Sequence, residues 1–410
     1  MSHSKPVGSA RAAALVVVVA SSCGGSPGDG ESAPPVEALP RLAYAEEVRI
    51  GSFDDPAEGF SRIGSMTIAD DGTLYVLESQ AREVRVFAED GSRLRTVGGP
   101  GEGPGEFGRP VSLGLVGDTL WVRDGAGGRV SWFGPGGSLL FETRGARLPV
   151  ETDVPGMSLT VVTGDPRPDG FVGSSYSRVM AGGAADRPFS FPVVRFDREG
   201  VVVDTVRWDT VEIGPTVRVG GRALHPPSLR PTSPLVLEAG AERLEVHWSV
   251  APSGPGTLRI VRIAESGDTL RRSALSYEPV PLPASVRDSL LDRPDGMGRL
   301  YGVSEAQLDA AMESGLELPD HRPPLRSGRT GVDGSLWIEL NGESADSAVW
   351  VVLGEDLAPR GRMVLPLRTQ PRVMNGPTVW AVETDELDVP WLVRLRVGPE
   401  GAPAPPTLQP

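Results

Sequence analysis

A chain of 410 residues with 52 glycines and 40 prolines is too rich in turn residues for a helical protein and reads as many short strands joined by turns. Its net charge of −14 repels phosphate backbones and anionic membrane surfaces, which excludes nucleic acid as a partner. A single cysteine excludes a disulfide within the chain.

The chain opens with Lys5 and Arg11, then the apolar run "AAALVVVVA" (12–20) and "SSCGG" (21–25). That run is too short to span a bilayer, so residues 1–22 read as a signal peptide. Ala20-Ser21-Ser22-Cys23 resembles the bacterial lipobox, with Ala20 where leucine is usual. The resemblance implies lipidation at Cys23 and, with Gly24 rather than Asp after it, passage to the outer membrane. An ordinary secretory signal with an incidental cysteine is the other reading. Either reading exports the chain; the lipobox reading makes it a cell-envelope lipoprotein, at the outer membrane or facing the periplasm, touching a membrane only through the lipid anchor. Residues 23–40 are small, polar and Pro-rich and read as a flexible tether, and 401–410 as a Pro-rich tail. Residues 41–400 remain as the folded domain.

Within that domain "DGTLYVLESQAREVRVFAEDGSRL" (71–94) aligns without gaps with "GDTLWVRDGAGGRVSWFGPGGSLL" (117–140), so Tyr75 meets Trp121, Phe87 meets Phe133 and Gly91 meets Gly137. Each unit reads as a meander of strands. An apolar residue followed four positions later by glycine continues the series at Phe196/Gly200, Ile263/Gly267 and Val397/Gly401. Leu353 joins it with Leu357 in the glycine place, which makes six units; the third and fourth are the least regular, and five or seven stay open. "VRIGSFDDPAEGFSR" (48–62) aligns with "RTVGGPGEGPGEFGR" (95–109), so the chain begins with the last strand of a unit. A missing outer strand at one end and a spare one at the other predict ring closure, with Val48–Ile50 beside Trp391–Val397. The expected fold is all-β, a six-bladed β-propeller of four-stranded antiparallel blades.

"GGPGEGPGEFGRP" (98–110) contains a G-x-G-x-x-G at Gly103–Gly108. A dinucleotide loop opens a helix, whereas Pro110 and strand-type residues follow here, and Glu102 and Glu106 repel phosphate; the glycines read as architecture. With the preceding "DG-x-LYV" and "VRVF-x-x-DG", this segment resembles a bacterial six-bladed β-propeller family related to NHL-repeat proteins. The resemblance implies the fold and export as a lipoprotein, and no particular reaction. One interruption is helical: Ser304 and Gln307 stand at capping-box spacing before Leu308, Ala311 and Met312, and "PASVRDSLLD" (283–292) is a second short helix on the same connection, either a lid or loop padding.

Most catalytic constellations are missing from the sequence. No lysine follows Lys5, which removes a P-loop, a Schiff-base lysine and a Ser-x-x-Lys site, and no G-x-S-x-G elbow occurs within residues 41–400. His225, His247 and His321 have no zinc spacing, and His247 in "RLEVHWSV" reads as a strand residue. Propellers similar to the gluconolactonase type imply a central divalent metal on carboxylates and asparagines; Asn341 and Asn375 both precede glycine and read as hairpin turns instead.

The remaining feature is an acid in register after the second strand of three units: Glu78, Asp124 and Glu383, the last followed by "TDELD" (384–388). Such acids would ring one face of a propeller, where they solvate turns or hold a cation, calcium being the candidate, or a basic ligand. Arg62 and Arg109 recur after Phe60 and Phe107, pinning their loops through carbonyls or Glu106, or offering an anion site. Three functions follow. One is a non-catalytic, lipid-anchored binding module for a protein, peptide or saccharide of the envelope, expected as a monomer. Another is a metal-dependent lactonase- or lyase-like enzyme using the acids in the central funnel; a purely structural envelope role is a third.

Overall fold

The apolar-to-glycine marker recurs because it builds the same turn each time. Gly91, Gly137, Gly200 and Gly267 have φ of 89°, 85°, 82° and 93°, a region that favours glycine. Each donates its N–H three residues back, to Ala88, Gly134, Asp197 and Ala264. The strand register shifts at Phe87, Phe133, Phe196 and Ile263, the bulge that closes a type I hairpin turn. Leu357 repeats the bond to Gly354 and takes φ 61° without being glycine.

These turns punctuate six four-stranded antiparallel sheets in a computed structural model that describes residues 33–401 except 56–57, 126–127, 152–156, 163, 168–169, 174, 181–188, 212–216, 220–221, 225–233, 240–241, 251–253, 293–297, 299–301, 317 and 342–345. Blade 1 holds Ile63–Ile68, Leu74–Glu78, Glu83–Phe87 and Arg93–Val97. Blade 2 holds Pro110–Val116, Thr119–Asp124, Arg129–Phe133 and Leu139–Arg144. Blade 3 comprises Pro166–Arg167, Gly170–Gly173, Phe189–Phe196 and Val202–Val211, and blade 4 Leu235–Ala239, Glu242–Ser249, Gly256–Ile263 and Thr269–Tyr277. Blade 5 comprises Leu325–Thr330, Leu336–Asn341, Ser347–Leu353 and Pro359–Pro366. Blade 6 takes three strands from the end of the chain, Thr369–Asn375, Thr378–Thr384 and Pro390–Pro399, and its fourth from the start, Leu42–Ile50. The protein is an all-β, six-bladed propeller.

The N-terminal strand runs antiparallel to the last one, with Leu42 opposite Pro399 and Ile50 opposite Leu392. A bulge between Glu46 and Val48 leaves Glu47 unpaired in the ladder and frees its side chain for other work.

Apolar side chains fill the spaces between blades. Phe107, Phe133, Val84 and Leu113 lie between blades 1 and 2, Trp337, Trp350 and Met374 between 5 and 6, and Trp380, Val76 and Phe87 between 6 and 1. Phe107 meets Phe133 edge-on at 6.0 Å and 79°. Ion pairs join blades 3 and 4, with Arg195 at 2.7 Å and Arg167 at 3.1 Å from Glu265.

Three features depart from a plain repeat. The expected tether, residues 23–40, is shorter: Val36–Ala38 forms a 3-10 turn, and Val36 and Leu39 are buried among blades 4 and 5. An isolated apolar pair in a Pro-rich stretch gains more from burial than from solvent. Residues 147–180 add a three-stranded sheet and Val217–Leu224 a hairpin, which explains why the third and fourth units look irregular. Helices Ser285–Leu291 and Glu305–Gly315 lie between blades 4 and 5, the second opened by the Ser304/Gln307 capping box. Leu308 is buried beside Val217 and Val219, so this helix packs on the hairpin. The expected signal peptide (1–22), Cys23, residues 24–32 of the expected tether, His225 and residues 402–410 lie outside the described residues.

Candidate functional site

The second strand of each regular blade ends where the connector from the preceding blade arrives. In blade 1 the carboxylate of Glu78 accepts backbone N–H groups from Ser61 at 3.2 Å, Arg62 at 3.0 Å and Gln80 at 3.3 Å. In blade 2 Asp124 accepts those of Gly108 at 2.6 Å and Arg109 at 2.9 Å. Both acids are buried, at 1% and 3% exposure. A carboxylate taking several N–H groups is a charge-assisted clamp on a loop that has no ladder of its own. The following residue completes it, Ser79 donating to the Arg62 carbonyl and Gly125 to that of Arg109.

Blade 6 varies the device. Thr384 still donates to the Arg368 carbonyl, but Glu383 accepts from the Thr369 hydroxyl at 3.1 Å and from Arg49 at 2.8 Å. Arg49 thereby joins the closing strand to the second strand of its blade, and the carboxylates of Glu46 and Glu383 hold its guanidinium above the ordinary range. Asp385, in "TDELD", caps its own turn through Leu387 and Val389.

The glycine-rich connector wraps around Phe107. Phe107 donates to the Gly99 carbonyl at 2.7 Å and accepts from Gly101. Four more of the loop's N–H groups are taken by carboxylates: Gly103 by Glu106, Gly105 by Glu142, Gly108 and Arg109 by Asp124. A phosphate would have to displace them.

Arg62 and Arg109 hold their loops by their backbone rather than their exposed side chains. The carbonyl pinning expected of them is performed by Arg129, which donates to Glu102, Gly103 and Glu106 oxygens and lies 3.6 Å from Asp124. Arg129, Glu142 and Glu339 escape a register search because each occurs in one blade alone. Glu339 is buried and accepts from Arg326 at 3.2 Å and Ser327 at 2.5 Å.

Glu78 and Asp124 thus each serve their own connector, and Glu383 serves the closing strand. Among the described residues no three His, Cys, Asp or Glu side chains form a group that could hold a metal ion. His247 lies 3.1 Å from Glu245 on an exposed stretch of blade 4.

The connector face also carries exposed apolar side chains. Phe53, in the connector from blade 6 to blade 1, is 65% exposed, and Leu387, at the turn between the second and third strands of blade 6, is 71% exposed. Asp54, Asp55, Glu58, Glu386 and Asp388 surround them in sequence.

No protein-family model matches this chain, and no curated protein aligns with it. Solved structures share its general outline. A candidate exported protein of Bacteroides fragilis is 14% identical with a TM-score of 0.43, over 87% of this chain and 95% of its own. A member of the DUF4221 family from Bacteroides vulgatus is 8% identical (TM-score 0.37; 87% and 99% covered), and virginiamycin B lyase from Staphylococcus aureus 12% identical (TM-score 0.35; 87% and 99% covered). At these values the architecture rests on the chain's own strand pairing. Among the described residues no helix is long and apolar enough to cross a membrane.

Proposed function

We propose that this chain is a non-catalytic binding propeller of the cell envelope, its ring sealed by Leu42–Ile50, exported by its N-terminal segment and tethered through Cys23. One observation supports it above the others. Buried Glu78 and Asp124 fix the backbone of two connectors, so the connector face is rigid, and on that face Phe53 and Leu387 stand exposed among acids. Rigid loops carrying apolar anchors bind with little ordering cost, and apolar anchors rimmed by acids suit a protein or peptide with a basic rim better than a saccharide.

The test is cross-linked capture from the native envelope, with the wild-type chain against Phe53→Ser/Leu387→Ser. A partner recovered by the first and lost by the second supports the reading, and identical recovery by both overturns it. The alternative, a metal-dependent lactonase- or lyase-like enzyme using the acids in the central funnel, requires a cation to compete with the N–H donors on Glu78 and Asp124. A fall in melting temperature with EDTA, restored by calcium and absent from Glu78→Ala and Asp124→Ala, would replace the binding reading; melting indifferent to EDTA removes the alternative.

A further inference from the structure

The innermost strands of the six blades surround the propeller axis. In the described segments they carry Arg167, Arg326, Arg329 and Arg372 against one acid, Glu238, in a chain of net charge −14. The axis is therefore basic inside an acidic protein. Three of these five charges are paired: Arg167 with Glu265 at 3.1 Å, Arg326 with Glu339 at 3.2 Å, and Glu238 with Arg207 at 3.6 Å. Arg329 and Arg372 are left over.

Both of these have a buried Nε with no hydrogen-bond partner. Other arginines in that condition anchor the rest of the guanidinium, as Arg195 does on Glu265, Arg262 on Glu242 and Arg243 on Asp209. Among the described residues neither Arg329 nor Arg372 makes a hydrogen bond or ion pair.

They are also neighbours. A Cβ on Gly328 would touch Leu235 and Leu237 of blade 4, so alternation along the strand turns Arg329 the other way, toward blade 6. There Arg372 occupies a bulge between Pro371 and Val373, outside the ladder. The two strands are tied together just beyond, where Val332 donates to the Met374 carbonyl at 2.9 Å and Gly376 to Asp333 at 2.8 Å. Burial holds both guanidinium groups below their ordinary range; for Arg329 the positive charge of Arg372 adds to it, and the nearby carboxylate of Glu339, already bonded to Arg326 and Ser327, offsets it only in part.

Two neighbouring, partly desolvated and unpartnered arginines are costly unless something negative joins them. Their planar forks match the paired oxygens of carboxylate and phosphate. We propose that Arg329 and Arg372 form an anion site where the innermost strands of blades 5 and 6 meet, which takes one oxyanion group, the phosphate or carboxylate of a small solute. This goes beyond the binding reading above and does not depend on it, because it concerns the axis rather than the connector face.

The experiment is calorimetric titration of the purified full chain, at fixed ionic strength, with inorganic phosphate and in parallel with acetate. Saturable one-to-one binding of at least one of them is expected, weakened about tenfold or more in Arg329→Gln and in Arg372→Gln, since a charge-assisted bond of this kind is worth about that factor. Arg360→Gln, at an exposed ion pair with Asp356, leaves the affinity unchanged. In anion-free buffer Arg372→Gln melts no lower than wild type, because it relieves a like-charge contact, which also shows that the variant folds. Absence of saturable binding for both anions, unchanged affinity in the two variants, or a lower melting temperature for Arg372→Gln without anion would each overturn the proposal. Failure of the envelope capture leaves these outcomes untouched.

Discussion

Arg394 of blade 6 lies 3.1 Å from Glu47 of the N-terminal strand, and both side chains are almost fully buried, at 3% and 7% exposure. Glu47 holds Arg396 at the same distance, while Arg394 reaches the Glu89 carbonyl of blade 1 and sits 5.9 Å from the Trp380 ring. One carboxylate in a bulge thus ties the first strand of the chain to the last, and its arginine ties both to the first blade. Removing one member of a buried pair costs about 3–5 kcal/mol because the other charge stays behind. Glu47→Ala is expected to lose that much in urea denaturation, and Glu47→Gln nearly as much, since it too leaves the Arg394 charge unpaired. A loss below about 1 kcal/mol for Glu47→Ala would place the strength of this junction in the backbone ladder instead.

The carboxylate clamps predict a graded series. Asp124→Ala leaves two part-buried N–H groups without their carboxylate acceptor and is expected to cost about 2 kcal/mol, with Glu78→Ala alike. Glu383→Ala removes an acid whose side chain is 28% exposed and whose partners can turn to water, so it should cost under about 1 kcal/mol. Urea midpoints for the three variants check the order. Limited proteolysis supplies a second readout, with cleavage moving into 98–109 in Asp124→Ala and into 51–62 in Glu78→Ala.

The repeat was legible wherever one residue type solves a backbone problem the same way in every blade. Gly91, Gly137, Gly200 and Gly267 advertise the turn because few other residues accept φ near 85° cheaply, and the acids of blades 1 and 2 are in register because the clamp is. The insertions of blade 3 were not legible, since the strands of residues 147–180 add pairing without repeating anything. Nor were Arg329 and Arg372: each sits on an innermost strand, but at different depths, one opposite Trp337 and the other in a bulge, so no fixed spacing relates them. Val36 and Leu39 were hidden by the Pro-rich composition around them.

Two glycines of equal φ should respond differently to the same substitution. Gly91 and Gly267 stand at 89° and 93°, so alanine strains each backbone by about 1–2 kcal/mol. At Gly267 a Cβ meets nothing within 4 Å, whereas at Gly91 it would approach Val48 Cγ1 at 2.5 Å. Gly91→Ala is therefore expected to cost roughly 2 kcal/mol more than Gly267→Ala, by analogy with overpacked cores. Leu357 tests the converse. It tolerates φ 61° because its side chain is buried at 1% exposure, so Leu357→Gly relieves the backbone but loses more in the core, a net cost of about 2 kcal/mol. A stabilised Leu357→Gly would mean that the turn, not the side chain, dominates there.

Acid should reach the aspartate-capped turns only at low pH. Asp385 accepts N–H groups from Leu387 at 2.8 Å and Val389 at 3.0 Å and the Trp391 indole at 3.2 Å, and these bonds hold its carboxyl below the model-peptide value of 3.8. Asp71 and Asp90 are lowered in the same way by the turn residues Thr73 and Ser92. A carboxyl whose folded value is depressed contributes stability that is fully present above its unfolded value and is lost as pH falls through the folded one. The contribution is thus constant from neutral pH to about 5 and declines below 3.8. Melting temperatures measured from pH 7 to pH 3 should stay level and then drop. Asp385→Asn should lower the plateau and shrink the drop, because an amide keeps an acceptor but has no proton to gain. A variant that keeps the full acid drop would assign it to other carboxylates, and Trp391 fluorescence, whose indole is bonded to Asp385, separates the two by changing at low pH only where Asp385 itself is protonated.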